Sequence, residues 1–376
     1  VIVYSADLHL SPTIWRDMSM LAGDAYRAFN QLIDVCIDEQ ASALVLGGDI
    51  FDKPRPDSQS VAVFIEGVSR LVDTDVYVVQ GQHERAEPPW ACLDEGVHYI
   101  GDGQLVTLED EGVTFTLRGY DNAPVEVMKQ AMKDMDPAPD ILVIHQLEKK
   151  LVPFEGSWDF DMKWVPKETK LILGGDYHIH ANEKRLWYPG STHMRNIDER
   201  GAHYLLLVTP GVKNVAKGRG KKKVMTRQWD GKFEVQAQRI LNRPIIDCVI
   251  NDASHVDAGL AVITGYAPDP AEVDDELEPL VYLKYNPQVE DALERVTEVC
   301  KEKGYFLRTK ATISGPEVVE GVPQLGTVTL QECLSQVVDR DKEPEFFSFA
   351  LALLTDDHKI ALNAAKAQFG LVKESN

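Results

Sequence analysis

Asp and His side chains able to bind a divalent cation stand at five points in the first half of the chain, each at or just beyond the end of a short apolar run. Residues 1–4 lead into Asp7, Leu8 and His9. Residues 43–46 lead into Gly48, Asp49, Ile50, Phe51 and Asp52. Residues 76–79 lead into Gly81, Gln82, His83 and Glu84. Residues 141–144 end on His145, and residues 171–173 run into Gly174, Gly175, Asp176, Tyr177 and His178. Aspartate and histidine suit an ion that must activate water. Two such ions about 3.5–4 Å apart can share a carboxylate, lower the pKa of a water and neutralise charge building at phosphorus. A histidine left over can move protons.

For that chemistry the runs must converge. Short Val/Ile/Leu runs read as strands buried on both faces, and in an open α/β sheet ligands bind beyond the carboxyl ends of strands. The intervening segments have helical spacing at 24–39 (Tyr26, Phe29, Leu32, Ile33, Cys36), at 58–71 (Val61, Phe64, Ile65, Val68, Leu71) and, more briefly, at 125–135. A hairpin is expected from 104–108 and 113–118, and a closing strand at 204–208. This alternation predicts a layered α/β sandwich in which Gly174 and Gly175 allow close backbone approach. Taken singly, each ligand type is an ordinary turn or loop residue. His98, His193, His203, His255 and His358 keep that reading, and Trp15, Arg16 and Asp17 are expected to border the cleft.

The remainder divides in two. Residues 224–325 read as a smaller domain, with a strand at 280–285, a helix at 289–303 and a strand at 305–312; the acidic 268–278 stretch reads as an exposed loop. Residues 326–376 read as helical. Phe346, Phe347, Phe349, Leu351, Leu353 and Leu354 there either pack on their own domain or dock a partner. The run 211–223 is densely basic, and is either a solvated loop or a phosphate-backbone contact through Lys217, Arg219, Lys221, Lys222 and Lys223.

Composition narrows the class. With 376 residues, 44% hydrophobic and 26% charged, the chain is expected to be soluble, with two or three domains. No apolar run approaches a membrane span, and no leader is expected ahead of the first strand. Five scattered cysteines without paired spacing read as reduced packing residues of a cytoplasmic protein. A net charge of −21 argues against broad adhesion to nucleic acid while leaving room for a local basic face.

The ordered series Asp7/His9, Gly48-Asp49/Asp52, Gly81-Gln82-His83-Glu84, His145, Gly175-Asp176/His178 resembles that of the calcineurin-like metallophosphoesterases over residues 1 to about 210. The finer resemblance is to their DNA-repair branch, the SbcD-type nuclease partner of a coiled-coil ATPase, including its bacteriophage versions. Gly48 to Asp52 and the Tyr188-Pro189-Gly190-Ser191 turn are similar to that branch's motifs, and the layout of a small cap followed by terminal helices is similar too.

The resemblance implies a four-layer α/β/β/α sandwich (residues 1–223), an α+β capping and DNA-binding domain (224–325) and a helical partner-binding segment (326–376). It implies that Asp7, His9, Asp49 and His178 hold a first metal, with Asp49 bridging, and that Gln82, His145 and Asp176 complete a second. His83 would face the scissile phosphate, oriented by Asp52, while Glu84 stabilises its loop. A register shift using His180 in place of His178 is the alternative.

Two positions depart from the pattern. Gln82 stands where the family has Asn, and Asp176 where it has His. Both fall on the second ion and favour manganese, or magnesium, over zinc. The expected function is exo- and endonucleolytic DNA hydrolysis with two Mn²⁺ or Mg²⁺ ions, as a cytoplasmic homodimer bound to an SbcC-type ATPase in a bacterium or a phage-infected cell. The alternatives are a stand-alone phosphodiesterase or phosphatase, and a DNA-end-binding scaffold weakened by Gln82 and Asp176.

Overall fold

A computed structural model of the chain describes residues 1–12, 18, 21, 23–110, 112–152, 158–217 and 224–312. The expectations for Trp15, Arg16, Asp17, Arg219, Lys221 to Lys223, 313–325 and the segment 326–376 lie outside these residues. In chain order the elements are β1 (Ile2–Ser5), α1 (Asp24–Asp38), β2 (Ala43–Gly47), α2 (Ser58–Ser69), β3 (Asp75–Val79), β4 (Val97–Tyr99), β5 (Asp102–Asp110), β6 (Val113–Tyr120), α3 (Val125–Lys133), β7 (Ile141–His145), β8 (Leu171–Gly175), β9 (Ala181–Glu183), β10 (Leu186–Tyr188), β11 (His203–Lys217), β12 (Val224–Ile240), β13 (Ile245–Ile250), α4 (Val256–Thr264), β14 (Leu280–Tyr285), α5 (Ala292–Lys303) and β15 (Phe306–Ala311).

Two six-stranded sheets carry the first part, in the orders β12-β11-β1-β2-β3-β4 and β5-β6-β7-β8-β10-β9. Neighbours along β1-β2-β3-β4 and along β6-β7-β8-β10 are parallel. Side chains alternate across a strand, and both faces are used. Tyr4, Val45, Val79, Phe115, Val143 and Leu173 fill the space between the sheets. Val3, Leu44, Leu46 and Val78 face α1 and α2, where Phe29, Leu32, Ile33 and Phe64 close the layer. On the far side, Leu142, Ile144 and Ile172 pack with Met128 and Met132 of α3. The four-layer α/β/β/α sandwich follows from strands with no solvent face.

The basic stretch after residue 210 extends the fold further than its composition suggests. β11 runs to Lys217 and pairs with β12 along its length, with one irregularity between Pro210 and Val212. The domain edge expected at residue 224 thus falls inside a hairpin of the first sheet. The smaller sheet, β13-β14-β15, is wholly parallel and begins at Ile245, with α4 and α5 on one face around Ile246, Leu283 and Val296.

The opposite face seats Leu280, Tyr282, Ile245 and Phe306 on Met18, Leu21, Met194 and Ile197. A buried ion pair pins this seat: Arg243 donates through Nε and Nη2 to both oxygens of Asp24, at 2.9 and 2.7 Å, and through Nη1 to the Glu278 carbonyl at 2.6 Å. Removing one partner leaves a charge buried without its counterion. Arg243→Ala is therefore expected to cost about 3–5 kcal/mol, read as a lower urea midpoint.

Among the described residues Cys36, Cys92, Cys248 and Cys300 are unbonded, and all but Cys92 are buried. None of the described helices is long and apolar enough to cross a membrane.

Candidate metal centre

The five strand ends meet at one edge, where the two sheets face each other. His145, the last residue of β7, donates from Nδ1 to the carbonyl of Gly47 on β2, at 2.6 Å. The Asp176 amide, just past β8, donates to both carboxylate oxygens of Asp7, just past β1, at 3.1 Å. The loops after β1 and β2 also pair, His9 N to Asp49 O at 2.8 Å and Asp7 N to Gly48 O at 3.0 Å. The site thus straddles the sandwich.

The backbone is tightly constrained here. Asp7, His9, Asp49 and Asp176 all adopt positive φ, between 41° and 79°. Asp and His tolerate this region better than most residues, yet such conformations typically cost on the order of 1–3 kcal/mol each. Gly48 has φ of 94°, and a Cβ on Gly175 would lie 2.4 Å from the Gly47 carbonyl and 2.6 Å from His145 Nδ1, so the expected close approach is present.

Four of the expected ligands, Asp7, His9, Asp49 and His145, are fully buried. His145 Nε2 lies 3.5 Å from Asp49 Oδ2 and 3.9 Å from both Asp7 Oδ1 and Asp176 Oδ1. His9 Nε2 is 3.3 Å from His178 Nε2, 4.0 Å from Asp7 Oδ1 and 3.8 Å from Asp49 Oδ2. His178 Nε2 is 3.7 Å from Asp7 Oδ1. Donor atoms fall into three overlapping groups: Asp7, His9 and His178; His9, Asp49 and His83; Asp7, Asp49 and His145. Asp7, His9 and Asp49 each belong to two groups, and of these Asp7 and Asp49 are the carboxylates.

Asp49 Oδ2 and His145 Nε2 are buried without a hydrogen-bond partner. Buried polar atoms are rarely left so. A carboxylate oxygen and an imidazole nitrogen aimed at a common space fit divalent cations.

The electrostatics agree. Burial would lower His145, yet Asp49, Asp7 and Asp176 lift it to about 10. Burial would raise Asp49, and His145 and His9 overcome it, holding that carboxyl below its usual range. Asp7 is pushed up to about 6 by burial, opposed by His145 and His178. A cluster of carboxylates this dry demands positive charge close by.

Gln82 Nε2 donates to Asp176 Oδ1 at 2.6 Å, so the two departures from the family pattern touch each other. His83 is half-buried, its amide donating to Asp49 Oδ1 at 2.9 Å and its Nε2 3.9 Å from Asp49 Oδ2. Its Nδ1 meets the backbone carbonyl of Asp52 at 3.1 Å. A carbonyl only accepts, so Nδ1 carries the proton. The expected link between Asp52 and His83 therefore runs through the main chain. The Asp52 carboxylate instead binds Arg195 Nη2 at 3.0 Å and lies 3.6 Å from His9 Nδ1.

Glu84 is buried and pushed up to about 8 by burial and then by Asp49. It accepts the Phe51 amide at 2.9 Å, the loop-holding role expected of it. His180 donates from Nδ1 to the Tyr188 carbonyl at 2.9 Å and stands against the rings of Tyr204 and Trp187; His178, not His180, joins the cluster.

Four residues at the site escaped the sequence reading. Asn122 Nδ2 donates to the His145 carbonyl at 3.0 Å, and Arg85 holds Asn122 Oδ1 at 2.6 Å. Both line a cleft of about 650 Å³ with Gln80, Gly81, Tyr99 and Asp121. Arg195 and Glu199 come from the turn after β10. For Arg85, proximity to the Gly81–Glu84 motif was the available signal; the others lie outside any motif.

No family model matches the chain. It is similar to the DNA double-strand break repair proteins Mre11 of Sulfurisphaera tokodaii (24% identical over 188 residues, 47% of this chain and 48% of the relative) and of Sulfolobus acidocaldarius (27% over 196 residues, 49% and 50%). The Mre11 of Methanosarcina acetivorans is 27% identical over 228 residues, 55% of this chain and 36% of the relative. The chain thus spans about half the length of the first two of these relatives. A solved structure, TT1561 of Thermus thermophilus, aligns over 54% of this chain and 92% of its own at 13% identity, with a TM-score of 0.35. The resemblance to the DNA-repair branch read from the motifs is borne out by the Mre11 relatives.

Proposed function

We propose that this chain is a DNA nuclease that hydrolyses phosphodiesters with two divalent metal ions, acting as exonuclease and endonuclease in the repair or degradation of DNA ends. The observation that carries this is the buried Asp7–Asp49–His145 cluster with its unpartnered Asp49 Oδ2 and His145 Nε2, in a chain whose relatives are Mre11 proteins. Asp7, His9, Asp49 and His178 would hold one ion and Gln82, His145 and Asp176, with Asp49, the other. When bound, such a pair supplies a water of lowered pKa and positive charge beside the phosphate. Mn²⁺ is the ion of choice, with Mg²⁺ next, because Asp176 and Gln82 add hard oxygen donors.

The residues around the ions do the positioning. His145 is fixed by the Gly47 carbonyl so that Nε2 points at the carboxylates. His83, with Nδ1 committed to the Asp52 carbonyl, turns Nε2 toward Asp49 on the open side of the cluster. There it can contact a phosphate oxygen or pass a proton to the leaving group.

The cap supplies the local basic face that a net charge of −21 requires of a DNA enzyme. Register places Asp247, Tyr282 and Arg308 in one row across its sheet and Val249, Lys284 and Lys310 in the next but one. They share the face that seats Leu280 and Ile245. Arg200 reaches in from the turn after β10, 5.6 Å from the Tyr282 ring, with Lys284 5.1 Å from the same ring. Lys284 and Lys310 are register neighbours with Arg308 on the same face, an arrangement suited to a phosphate backbone, while Arg200 is paired with Asp247 at 3.1 Å. Replacing Lys284 and Lys310 by alanine is expected to lower the slope of log affinity against log salt by about 2, with hydrolysis of bis-p-nitrophenyl phosphate unchanged; an unaltered slope would remove this face from the DNA path.

The partners proposed are a second copy of the chain and a coiled-coil ATPase of the SbcC type, in the cytoplasm of a bacterium or a phage-infected cell. The deciding assay compares linear duplex, single-stranded DNA and bis-p-nitrophenyl phosphate with Mn²⁺. Cleavage of the small ester alone would make the chain a stand-alone phosphodiesterase, and cleavage of none would make it a DNA-end-binding scaffold.

A further inference from the structure

We propose that the turn formed by residues 192–200 is the positioning element of the metal centre, with Glu199 setting the ring of His178 and Arg195 setting the carboxylate behind His9. The inference rests on the metal-centre reading above and concerns residues that no motif of that reading contains.

Each of the two histidines that approach each other at 3.3 Å has an acid at its back. Glu199 Oε1 meets His178 Nδ1 at 3.1 Å. A carboxylate accepts, so Nδ1 donates and Nε2 is the nitrogen that faces Asp7, 3.7 Å away. Asp52 Oδ1 lies 3.6 Å from His9 Nδ1, a charge contact and not a hydrogen bond, since His9 Nδ1 is buried without a hydrogen-bond partner, while Asp49 faces the other ring nitrogen. Carboxylates placed behind ligating imidazoles fix tautomer and orientation, and raise the basicity of the donor nitrogen.

The two acids are tied by one residue. Arg195 gives its Nη2 to Asp52 Oδ1 at 3.0 Å and its backbone amide to Glu199 Oε2 at 3.0 Å. Asn196 Nδ2 adds a second donor to Glu199 Oε1 at 3.1 Å. Displacing Arg195 therefore loosens the supports of both rings together.

The turn is anchored at each side. The Ser191 amide donates to the His178 carbonyl at 3.1 Å. Met194 and Ile197 are buried against Leu280 and Tyr282 of the cap sheet. A frame of this kind has no purpose in a solvated loop, but it is what two opposed histidines need to be held ready for one ion.

The test is calorimetric titration of the purified full chain with Mn²⁺, together with the visible spectrum of the Co²⁺-loaded protein. Glu199→Gln keeps the shape and removes the charge behind His178; Arg195→Met frees the Asp52 carboxylate behind His9 while its backbone amide stays on Glu199. Each variant is expected to weaken binding of the first ion about 10–100-fold and to shift the Co²⁺ bands, with the melting temperature of the metal-free protein unchanged. Glu199→Asp, which restores the carboxylate, is expected to recover part of the affinity. Wild-type affinity and spectrum in a folded Glu199→Gln variant would overturn the positioning role alone. Wild-type protein that takes up no Mn²⁺ would overturn the metal centre itself, and the two failures are thereby distinguished.

Discussion

His83→Ala is expected to reduce manganese-dependent cleavage about a hundred- to ten-thousand-fold, the usual range for a positioned proton-transfer group, while the protein still binds its full complement of ions. The argument rests on which way the ring faces. Its Nδ1 is spent on the Asp52 carbonyl and its amide on Asp49 Oδ1, so the loop is held by the main chain as well as the ring. Only Nε2 is left for substrate, and the side chain is 33% exposed where the true interior of the cluster is closed. Since His83 also falls in a donor group with His9 and Asp49, the competing role is that of a ligand. Calorimetry separates the two. Loss of an ion from the His83→Ala protein would make it a ligand, and loss of turnover alone would make it the group that meets the phosphate.

Asp49→Asn is expected to abolish both activity and the stabilisation conferred by metal. Asp49 is the carboxylate common to the groups that contain His83 and His145, and its Oδ2 is the buried oxygen without a hydrogen-bond partner. An amide at that position keeps an acceptor for the His83 amide but loses the negative charge facing both cation positions. At an ion concentration a hundred times the dissociation constant, wild-type protein gains about 2.7 kcal/mol of stability. That gain, read as a Mn²⁺-dependent rise in melting temperature, should vanish in the variant. A variant that melts like the wild type with and without Mn²⁺ would show that Asp49 does not bridge.

The five strand ends were legible because parallel strands buried on both faces leave a continuous apolar signature that stops where the chain leaves the sheet. Asp7, Asp49, His145 and Asp176 sit within two residues of such stops, so one fold rule collected them. The helices at 24–38 and 58–69 were legible from spacing for the same reason.

What was not legible is information carried by contact alone. Glu199 and Arg195 lie in an irregular turn with no periodicity, and nothing in their types distinguishes them from solvated charges until His178 and Asp52 are seen beside them. Asp52 does stand beside His83, but a residue has two kinds of acceptor; the carbonyl went to His83 and the carboxylate to Arg195. Residues 211–223 read as a solvated basic loop or a phosphate contact, not as part of a hairpin, because lysines and glycines have low strand preference. The 15 residues of β11 run alongside β12 nonetheless, since an edge hairpin can be held by its ladder.

The Gly47 carbonyl and the His145 ring belong to opposite halves of the sandwich, yet they are joined at 2.6 Å. The separation of the halves is set elsewhere, by Tyr4, Val79, Phe115 and Leu173 in the interior. The edge that carries the candidate metal centre therefore works as the jaw of a vice whose screw is the core. Trimming or enlarging one of those interior groups is expected to shift His145 relative to Asp49 and Asp7, and so to alter the affinity for Mn²⁺ if the proposed metal centre holds, before it unfolds the protein.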